Sequence, residues 1–345
     1  MLAALRGGLQ REWAAVQFAI HNVLAGALLL FVAVSALSHQ RQMGLKASLA
    51  IEQLASVSWP LSFQYIALVA CALAFALRMS LFPFHSWAMT WQRAVDRSAS
   101  MAVLGGVLPL GAYGLLRYAL PFCSDAFSAW RGIALPLLIF SVLATALSLL
   151  AERDSLRQLS LVASCQMGWI ALGISSLDGD GLHGAAILLM GSGVVVAVLS
   201  CLLIRGEDRA VGALQSQGRW GVLWAMLALA GLPGLGLFPG YVLVGLAGVQ
   251  WGWWGGPLAL AAFLCAVWAL RFFAQLSRSN APHLSRNQYI LLLPLVLYSC
   301  AIGLYPSFVA RGGLAVVKEI IPMAMVSDGA AVAEVDSSSA LLGVP

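Results

Sequence analysis

The chain has 345 residues, of which 61% are hydrophobic and only 10% are charged. This balance excludes an ordinary soluble domain and is typical of chains that use lipid as their solvent. The formal net charge of +5 does not indicate a nucleic-acid partner, because the basic residues stand singly or in pairs between apolar segments, as topology signals do. The six cysteines have no paired spacing and are expected to be apolar packing residues.

Long apolar stretches follow one another along the whole chain. A helix that crosses the hydrocarbon core needs about 20 apolar residues. The sequence therefore predicts an all-α integral membrane protein with about nine transmembrane helices, which cover approximately residues 16–38, 61–82, 99–120, 131–151, 157–177, 183–204, 219–249, 258–277 and 288–310. A cytoplasmic segment, 1–15, would precede the transmembrane domain, 16–311, and residues 312–345 would form an amphipathic or flexible tail.

Two regions are predicted to be discontinuous helices. Near 78–98, Pro83 begins a stretch that mixes aromatic and charged residues, which we expect at the membrane interface or in a re-entrant segment. Near 231–240, prolines remove backbone donors and glycines lower helix propensity; the residues are Gly231, Pro233, Gly234, Pro239 and Gly240. Non-helical backbone at membrane depth is tolerated only where protein or a water-filled cavity satisfies it, so this second break should face the interior of a bundle.

The basic residues also predict an orientation. If the N-terminus is cytoplasmic, the loops on its side hold about 11 Lys and Arg residues and the opposite loops about 6, which satisfies the positive-inside rule. We therefore expect a multi-pass protein of the cell inner membrane with a cytoplasmic N-terminus.

Three stretches resemble one family of membrane proteins. They are Arg78–Trp87 (RMSLFPFHSW) followed by GAYGLLR at 111–117, the loop and helix at 151–169 that contain SCQMGW, and LAGLPGLGLFPG at 229–240. Together they resemble the antiporter-like subunits of respiratory complex I. Those subunits share their fold with large Mrp-type cation/proton antiporter proteins, with membrane subunits of energy-converting hydrogenases and with the membrane partner of inorganic-carbon transporters.

The resemblance implies a proton relay whose residues are replaced here. Residue 16 onward would correspond to the sixth helix of the family, so its first five helices have no counterpart in this sequence. Where the family is understood to use titratable residues, this chain has Arg78, Pro109 and Tyr241. Arginine holds its proton at any ordinary pH and cannot readily pass it on. Only two lysines occur, Lys46 and Lys318, and both lie outside the predicted spans.

The remaining candidates for an ion pathway each have a structural alternative. Arg78 either snorkels to the interface or supplies a fixed cation to a hydrated cavity. His85 either relays protons or anchors the broken backbone, and Gln166 and Ser192 either hold water or bond between helices. Arg271 lies inside a predicted span and needs a counter-charge, which backbone carbonyls, lipid or another subunit could supply. Tyr241 completes this set as the residue at the second break.

No motif in the sequence indicates catalysis by this chain. It contains no P-loop, no dinucleotide-binding glycine motif and no metal-ligand spacing, so no cofactor and no metal are expected. It could still be a subunit of an enzyme of the NADH-quinone oxidoreductase or hydrogenase type. Three functions stay open: a proton- or cation-translocating subunit that works with other membrane subunits, a non-conducting scaffold for a neighbouring subunit, and the membrane partner of a bicarbonate or CO2 uptake complex.

Overall fold

The computed structural model describes residues 9–50, 53–54, 57, 59–203, 219–250, 252, 255–277 and 286–305. Within these ranges the regular secondary structure is helical, and no strand is present. The helices are α1 (Leu9–Gln42), α2 (Leu61–Arg78), α3 (Ser86–Ala94), α4 (Arg97–Ala102), α5 (Leu108–Gly114), α6 (Leu120–Phe122), α7 (Ser124–Ala151), α8 (Ser155–Ser175), α9 (Gly179–Leu203), α10 (Arg219–Leu229), α11 (Phe238–Gln250), α12 (Gly255–Ser277) and α13 (Arg286–Leu304). Two π-helical turns, Val103–Val107 and Leu115–Ala119, join α4, α5 and α6 into one continuous helical segment.

The predicted all-α membrane class is confirmed. Among the described residues, six helical stretches are long and apolar enough to cross a membrane: Arg11–Gln42, Leu61–Arg78, Ser98–Phe122, Ser124–Ala151, Gly179–Leu203 and Gly255–Ala274. Of the other three predicted spans, 157–177 coincides with α8, 219–249 is divided into α10 and α11, and 288–310 overlaps α13. The predicted tail, 312–345, lies outside the described residues and stays a prediction.

The helix α8 lies at the centre of the bundle. Every residue from Gln158 to Ser175 is buried, and α3, α7 and α9 pack around it. The Asp154 side chain caps the first turn by accepting from the backbone N–H of Leu156 at 3.0 Å. Because α8 is surrounded by protein rather than lipid, it tolerates more serine and glutamine than the outer helices do.

The long helix α1 covers one side of the bundle. It packs against α2 and α3, where Phe18 stacks on Trp91 with ring centroids 4.4 Å apart. Its opposite face leaves large apolar side chains such as Val23 and Leu30 exposed. An apolar face of this extent is typical of a surface that contacts lipid.

Both predicted discontinuities are present in the fold. The first break, Met79–His85, separates α2 from α3, and the second break, Ala230–Leu237, separates α10 from α11. Pro239 and Gly240 lie in the first turn of α11 rather than in the break. A proline is tolerated there because the first helical N–H groups have no partner within their own helix.

Glycines allow α9 and α11 to approach closely beside the second break. A Cβ atom at Gly184 of α9 would lie 2.8 Å from the backbone oxygen of Gly240 and 2.9 Å from the backbone nitrogen of Val244. These atoms belong to the backbone and cannot rotate away. Small residues at such a crossing let two membrane helices pack backbone to backbone.

We predict that Gly184→Ala destabilises the protein, whereas Gly245→Ala does not. The first substitution forces α9 and α11 apart, at a cost of about 1 to 3 kcal/mol for overpacking. Gly245 lies on the same helix as Gly240, but a Cβ there meets nothing within 4 Å, and alanine favours the helix. Thermal unfolding of the two variants in detergent measures the difference; equal melting temperatures would contradict the helix crossing described here.

Candidate functional site

The first break is hydrogen-bonded to two neighbouring helices. Its first three residues are buried, whereas Pro83 is exposed. The Ser164 hydroxyl of α8 donates to Ser80 Oγ at 3.1 Å, and the backbone N–H of Phe82 donates to Ser141 Oγ of α7 at 3.1 Å. Trp87 Nε1 donates to the Leu77 carbonyl at 3.1 Å, which ties α3 back to the last turn of α2. These contacts tie the break to α7 and α8, and Ser141 satisfies the backbone N–H of Phe82.

Arg78 and His85 stand at the two ends of this break. Arg78 is the last residue of α2 and half-buried; its Nε is buried and has no hydrogen-bond partner among the described residues. His85 is also half-buried and stacks on Phe82 at a centroid distance of 5.4 Å. Its Nδ1 is likewise buried without a partner in the described part of the chain. Each residue thus has a buried side-chain nitrogen that no described protein group binds.

The second break is joined to α8 through Tyr241. The Tyr241 hydroxyl lies 2.6 Å from Gln166 Oε1 and 3.1 Å from the carbonyl oxygen of Leu229, so it can donate to either. Leu229 ends α10, and the last carbonyls of a helix have no partner within it. Tyr241 therefore both caps α10 and links the second break to the centre of the bundle.

Two serines from other helices also lie beside the second break. Ser192 of α9 is fully buried, and a Cβ on its neighbour Gly191 would meet Leu237 in the break. Ser299 of α13 lies against Gly236, whose Cβ would meet Ser299 Oγ at 2.8 Å. Neither hydroxyl has a hydrogen-bond partner among the described residues.

We define Ser80, Ser164, Gln166 and Tyr241 as the polar axis, which consists of two hydrogen-bonded pairs on different faces of α8. Ser164 reaches the first break and Gln166, two residues further along α8, reaches the second. The axis contains hydroxyl and amide groups, and within the described residues no lysine or carboxylate takes part in these contacts. Sequence reasoning chose Gln166 and Tyr241 but missed Ser80 and its bond to Ser164. The polar Ser80 within RMSLFPFH was the signal available for it.

Arg271 does not lie beside the other candidate residues for an ion pathway. Its side chain is exposed and lines a cleft at the end of α7, together with Glu152 and Arg153. The position of Arg271 within an apolar run suggested a deep location, but the charged end of a long side chain near a helix terminus reaches the polar boundary. A carboxylate from the same chain, Glu152, lines the same cleft.

The loop between α7 and α8 concentrates charge at this end of the bundle. Arg93 pairs with Asp154 at 2.9 Å, and Arg157 pairs with Glu152 at 3.5 Å. Slight burial raises the pKa of Glu152, but hydrogen bonds from the backbone N–H groups of Asp154 and Arg153 and the charge of Arg157 outweigh it, so the pKa lies below its ordinary value. Glu152 is thus an ionised carboxylate whose oxygens are already engaged.

Replacing the Tyr241 hydroxyl tests the link between α8 and the second break. We expect Tyr241→Phe to lower the free energy of unfolding by roughly 1 to 2 kcal/mol, because Gln166 Oε1 and the Leu229 carbonyl lose their shared donor. Tyr118→Phe is the matched control, since that side chain is exposed on the lipid-facing side. Chemical or thermal unfolding in detergent measures both. If the two variants lose the same stability, the hydroxyl does not join the break to α8.

Comparison with known proteins gives a consistent relationship. The family model described as NADH:quinone oxidoreductase/Mrp antiporter, transmembrane region, matches residues 1–267. NADH-quinone oxidoreductase subunit 13 of Thermus thermophilus is 31% identical over 257 residues, which are 70% of this chain and 55% of the relative. NAD(P)H-quinone oxidoreductase chain 4 2 of Thermosynechococcus vestitus is 28% identical over 209 residues, 61% of this chain and 38% of the relative. The chain thus spans only part of the length of these relatives.

Solved structures share the fold. A chain of respiratory complex I from Thermus thermophilus with bound NADH superposes with a TM-score of 0.80 at 24% identity, covering 93% of this chain and 71% of that chain. A chain of the Mrp complex from Dietzia sp. DQ12-45-1b gives a TM-score of 0.71 at 17% identity, covering 92% and 68%. Because the family model covers 267 of the 345 residues, this chain belongs to the transmembrane family of NADH:quinone oxidoreductase and Mrp antiporter subunits.

Proposed function

We propose that this chain is a multi-pass membrane subunit of a larger complex I-like or Mrp-like assembly and contributes to proton or cation translocation. The observation that carries the proposal is the polar axis, in which α8, buried from Gln158 to Ser175, is hydrogen-bonded to the first break and to Tyr241 beside the second break. Polar groups in hydrocarbon are costly to bury. Two buried polar pairs, one at each break, favour a role in moving ions.

The topology that we propose adds three crossings to the six that length and composition support. These are α8, the broken pair α10 and α11, and α13. The basic loops favour a cytoplasmic N-terminus, and the ion pair between Arg93 and Asp154 supports placing the loop after α3 and the loop before α8 on the same side.

Polar atoms around the axis favour hydration of the two breaks. Arg78 Nε, His85 Nδ1 and Ser192 Oγ are buried and have no protein partner among the described residues. Buried polar groups in native proteins are bonded to protein or to ordered water. Water bound at these three groups would add polar groups to those of the polar axis.

The chemistry of the axis assigns different roles to its two candidate charges. His85 is the side chain at the first break whose type titrates near neutral pH, so it is the candidate that accepts and releases a proton. Arg78 keeps its charge and raises the energy of any second cation beside it through Coulomb repulsion. It would therefore act as a fixed electrostatic barrier whose height depends on nearby counter-charge.

The polar axis lacks groups that titrate near neutral pH, and this favours partner subunits that supply them. Serine, glutamine and tyrosine hydroxyl or amide groups can orient water, but they do not hold a net charge at neutral pH. A chain with this inventory needs neighbours that supply titratable groups and a driving reaction. The relatives with solved structures are parts of complexes, including respiratory complex I and the Mrp complex, and this supports an assembly here.

Proton flux through the intact assembly tests the proposal. The assembly would be purified through a tag on this chain, reconstituted in liposomes and driven by a potassium diffusion potential, with an internal pH dye as the readout. We expect His85→Gln to reduce the flux by on the order of 100-fold, as removal of a positioned proton-transfer group does. Arg78→Gln should instead change the voltage dependence, because it removes a fixed charge.

His21→Gln is the matched control. His21 lies on the peripheral helix α1, and its Nδ1 lies 2.8 Å from the backbone carbonyl oxygen of Gln17 in the same helix. It should leave the flux unchanged. Full flux in a variant that carries both His85→Gln and Arg78→Gln would refute the pathway through the first break and favour the non-conducting scaffold. An assembly that conducts neither protons nor alkali cations would also favour the scaffold.

A further inference from the structure

A half-open cleft of about 370 Å³ lies where the end of α7 and the loop before α8 meet α12. It is separate from the polar axis. Apolar side chains such as Leu149 and Phe272 line it together with polar residues, among them Arg153, Gln158, Trp268 and Arg271. It therefore combines a polar region with a hydrophobic wall.

The cleft carries uncompensated positive charge. Its one carboxylate, Glu152, accepts from the backbone N–H groups of Arg153 and Asp154 and pairs with Arg157. Neither Arg153 nor Arg271 forms an ion pair with a carboxylate in the part of the chain that the structure describes. Two guanidinium groups thus line one cleft while its single acid is engaged elsewhere.

Two nearly inaccessible polar side chains are also among the residues that line the cleft. Trp268 and Gln158 are each 3% exposed, yet Trp268 Nε1 and Gln158 Oε1 have no hydrogen-bond partner among the described residues. The amide nitrogen of Gln158 is occupied, since it donates to the Glu152 carbonyl at 2.6 Å. One unused donor and one unused acceptor therefore line the same cleft as the two arginines. Buried polar atoms of this kind require a partner.

The cleft lies at the edge of a lipid-facing surface. Arg271 belongs to α12, one of the helices long and apolar enough to cross the membrane, and Phe263 and Leu270 on that helix are more than half exposed. Aromatic residues and arginines near the end of a spanning helix lie at headgroup depth. A basic pocket between spanning helices at this depth has the chemistry that binds anionic headgroups.

We propose that this cleft binds the headgroup of an anionic phospholipid that carries free hydroxyls, of the phosphatidylglycerol type. Arg153 and Arg271 hold the phosphate, and Trp268 Nε1–H donates to one of its oxygens. Gln158 Oε1 accepts from a headgroup hydroxyl, while an acyl chain packs against Leu149 and Phe272. A zwitterionic lipid is disfavoured because its ammonium group would meet two arginines.

Native mass spectrometry of the purified full chain in detergent tests the site. Phosphatidylglycerol and phosphatidylcholine with the same acyl chains would be titrated separately, and inorganic phosphate would be added in competition. We expect phosphatidylglycerol to bind at least about 10-fold more tightly than phosphatidylcholine, and the preference to disappear in Arg153→Gln/Arg271→Gln. Trp268→Phe, which removes only the N–H group, should weaken binding several-fold.

The control is Arg41→Gln/Lys46→Gln, which removes the same charge from two exposed side chains outside the cleft. It should keep the preference for phosphatidylglycerol. An equal loss in this control would overturn the site, because nonspecific attraction would then explain the binding. Full displacement of the lipid by inorganic phosphate would also overturn it, since the cleft would then be a site for free anions. A well-folded Arg153→Gln/Arg271→Gln variant that retains the preference would refute the roles of both arginines.

Discussion

The fold depends on one constraint: backbone groups exposed by a broken helix need partners wherever lipid excludes water. Two breaks occur in this chain, and α8 lies against both. Ser164 bonds to Ser80 in the first break, and Gln166 bonds to Tyr241 beside the second. The glycines of α9 bring α11 close enough for that second contact. Both of these contacts join side chains. The backbone groups that side chains bind at the breaks are the Phe82 N–H, which donates to Ser141 of α7, and the Leu229 carbonyl, which accepts from Tyr241.

The same constraint explains why α8 differs in composition from the outer helices. An outer helix such as α1 exposes Val23 and Leu30, because lipid is the solvent for that face. Helix α8 meets only protein, and its serines can bond to its own carbonyls, as Ser160 does to Arg157 at 2.8 Å. Side chains that hydrogen-bond to neighbouring helices need not be apolar. A central helix can therefore fall below a hydropathy threshold that peripheral helices pass.

Much of the architecture could be predicted from the sequence, because each break has a local cause. Pro83, and Pro233 together with Gly231, disfavour continuous helix, and both breaks occur where these residues predicted them. Proline alone does not decide this, since Pro136 and Pro294 lie inside helices. The hydrogen bond from Ser164 to Ser80 could not be predicted, since it joins residues 84 positions apart and depends on how α8 docks. Arg271 also could not be located from the sequence. Its position in an apolar run did not reveal how deeply its side chain is buried, and the structure places it at an exposed cleft.

The polar axis and Arg78 separate two properties that a proton pathway combines. A lysine or glutamate stores a proton for a time, and neighbouring charge can change its occupancy by a few kcal/mol. The hydroxyl and amide groups of the polar axis can orient water but do not take up a proton and its charge at neutral pH. Arg78, in contrast, stays protonated. The bundle therefore keeps a polar contact from α8 to each of its breaks. In the function that we propose, charges outside the axis supply timing and energy, and neighbouring subunits supply the direction.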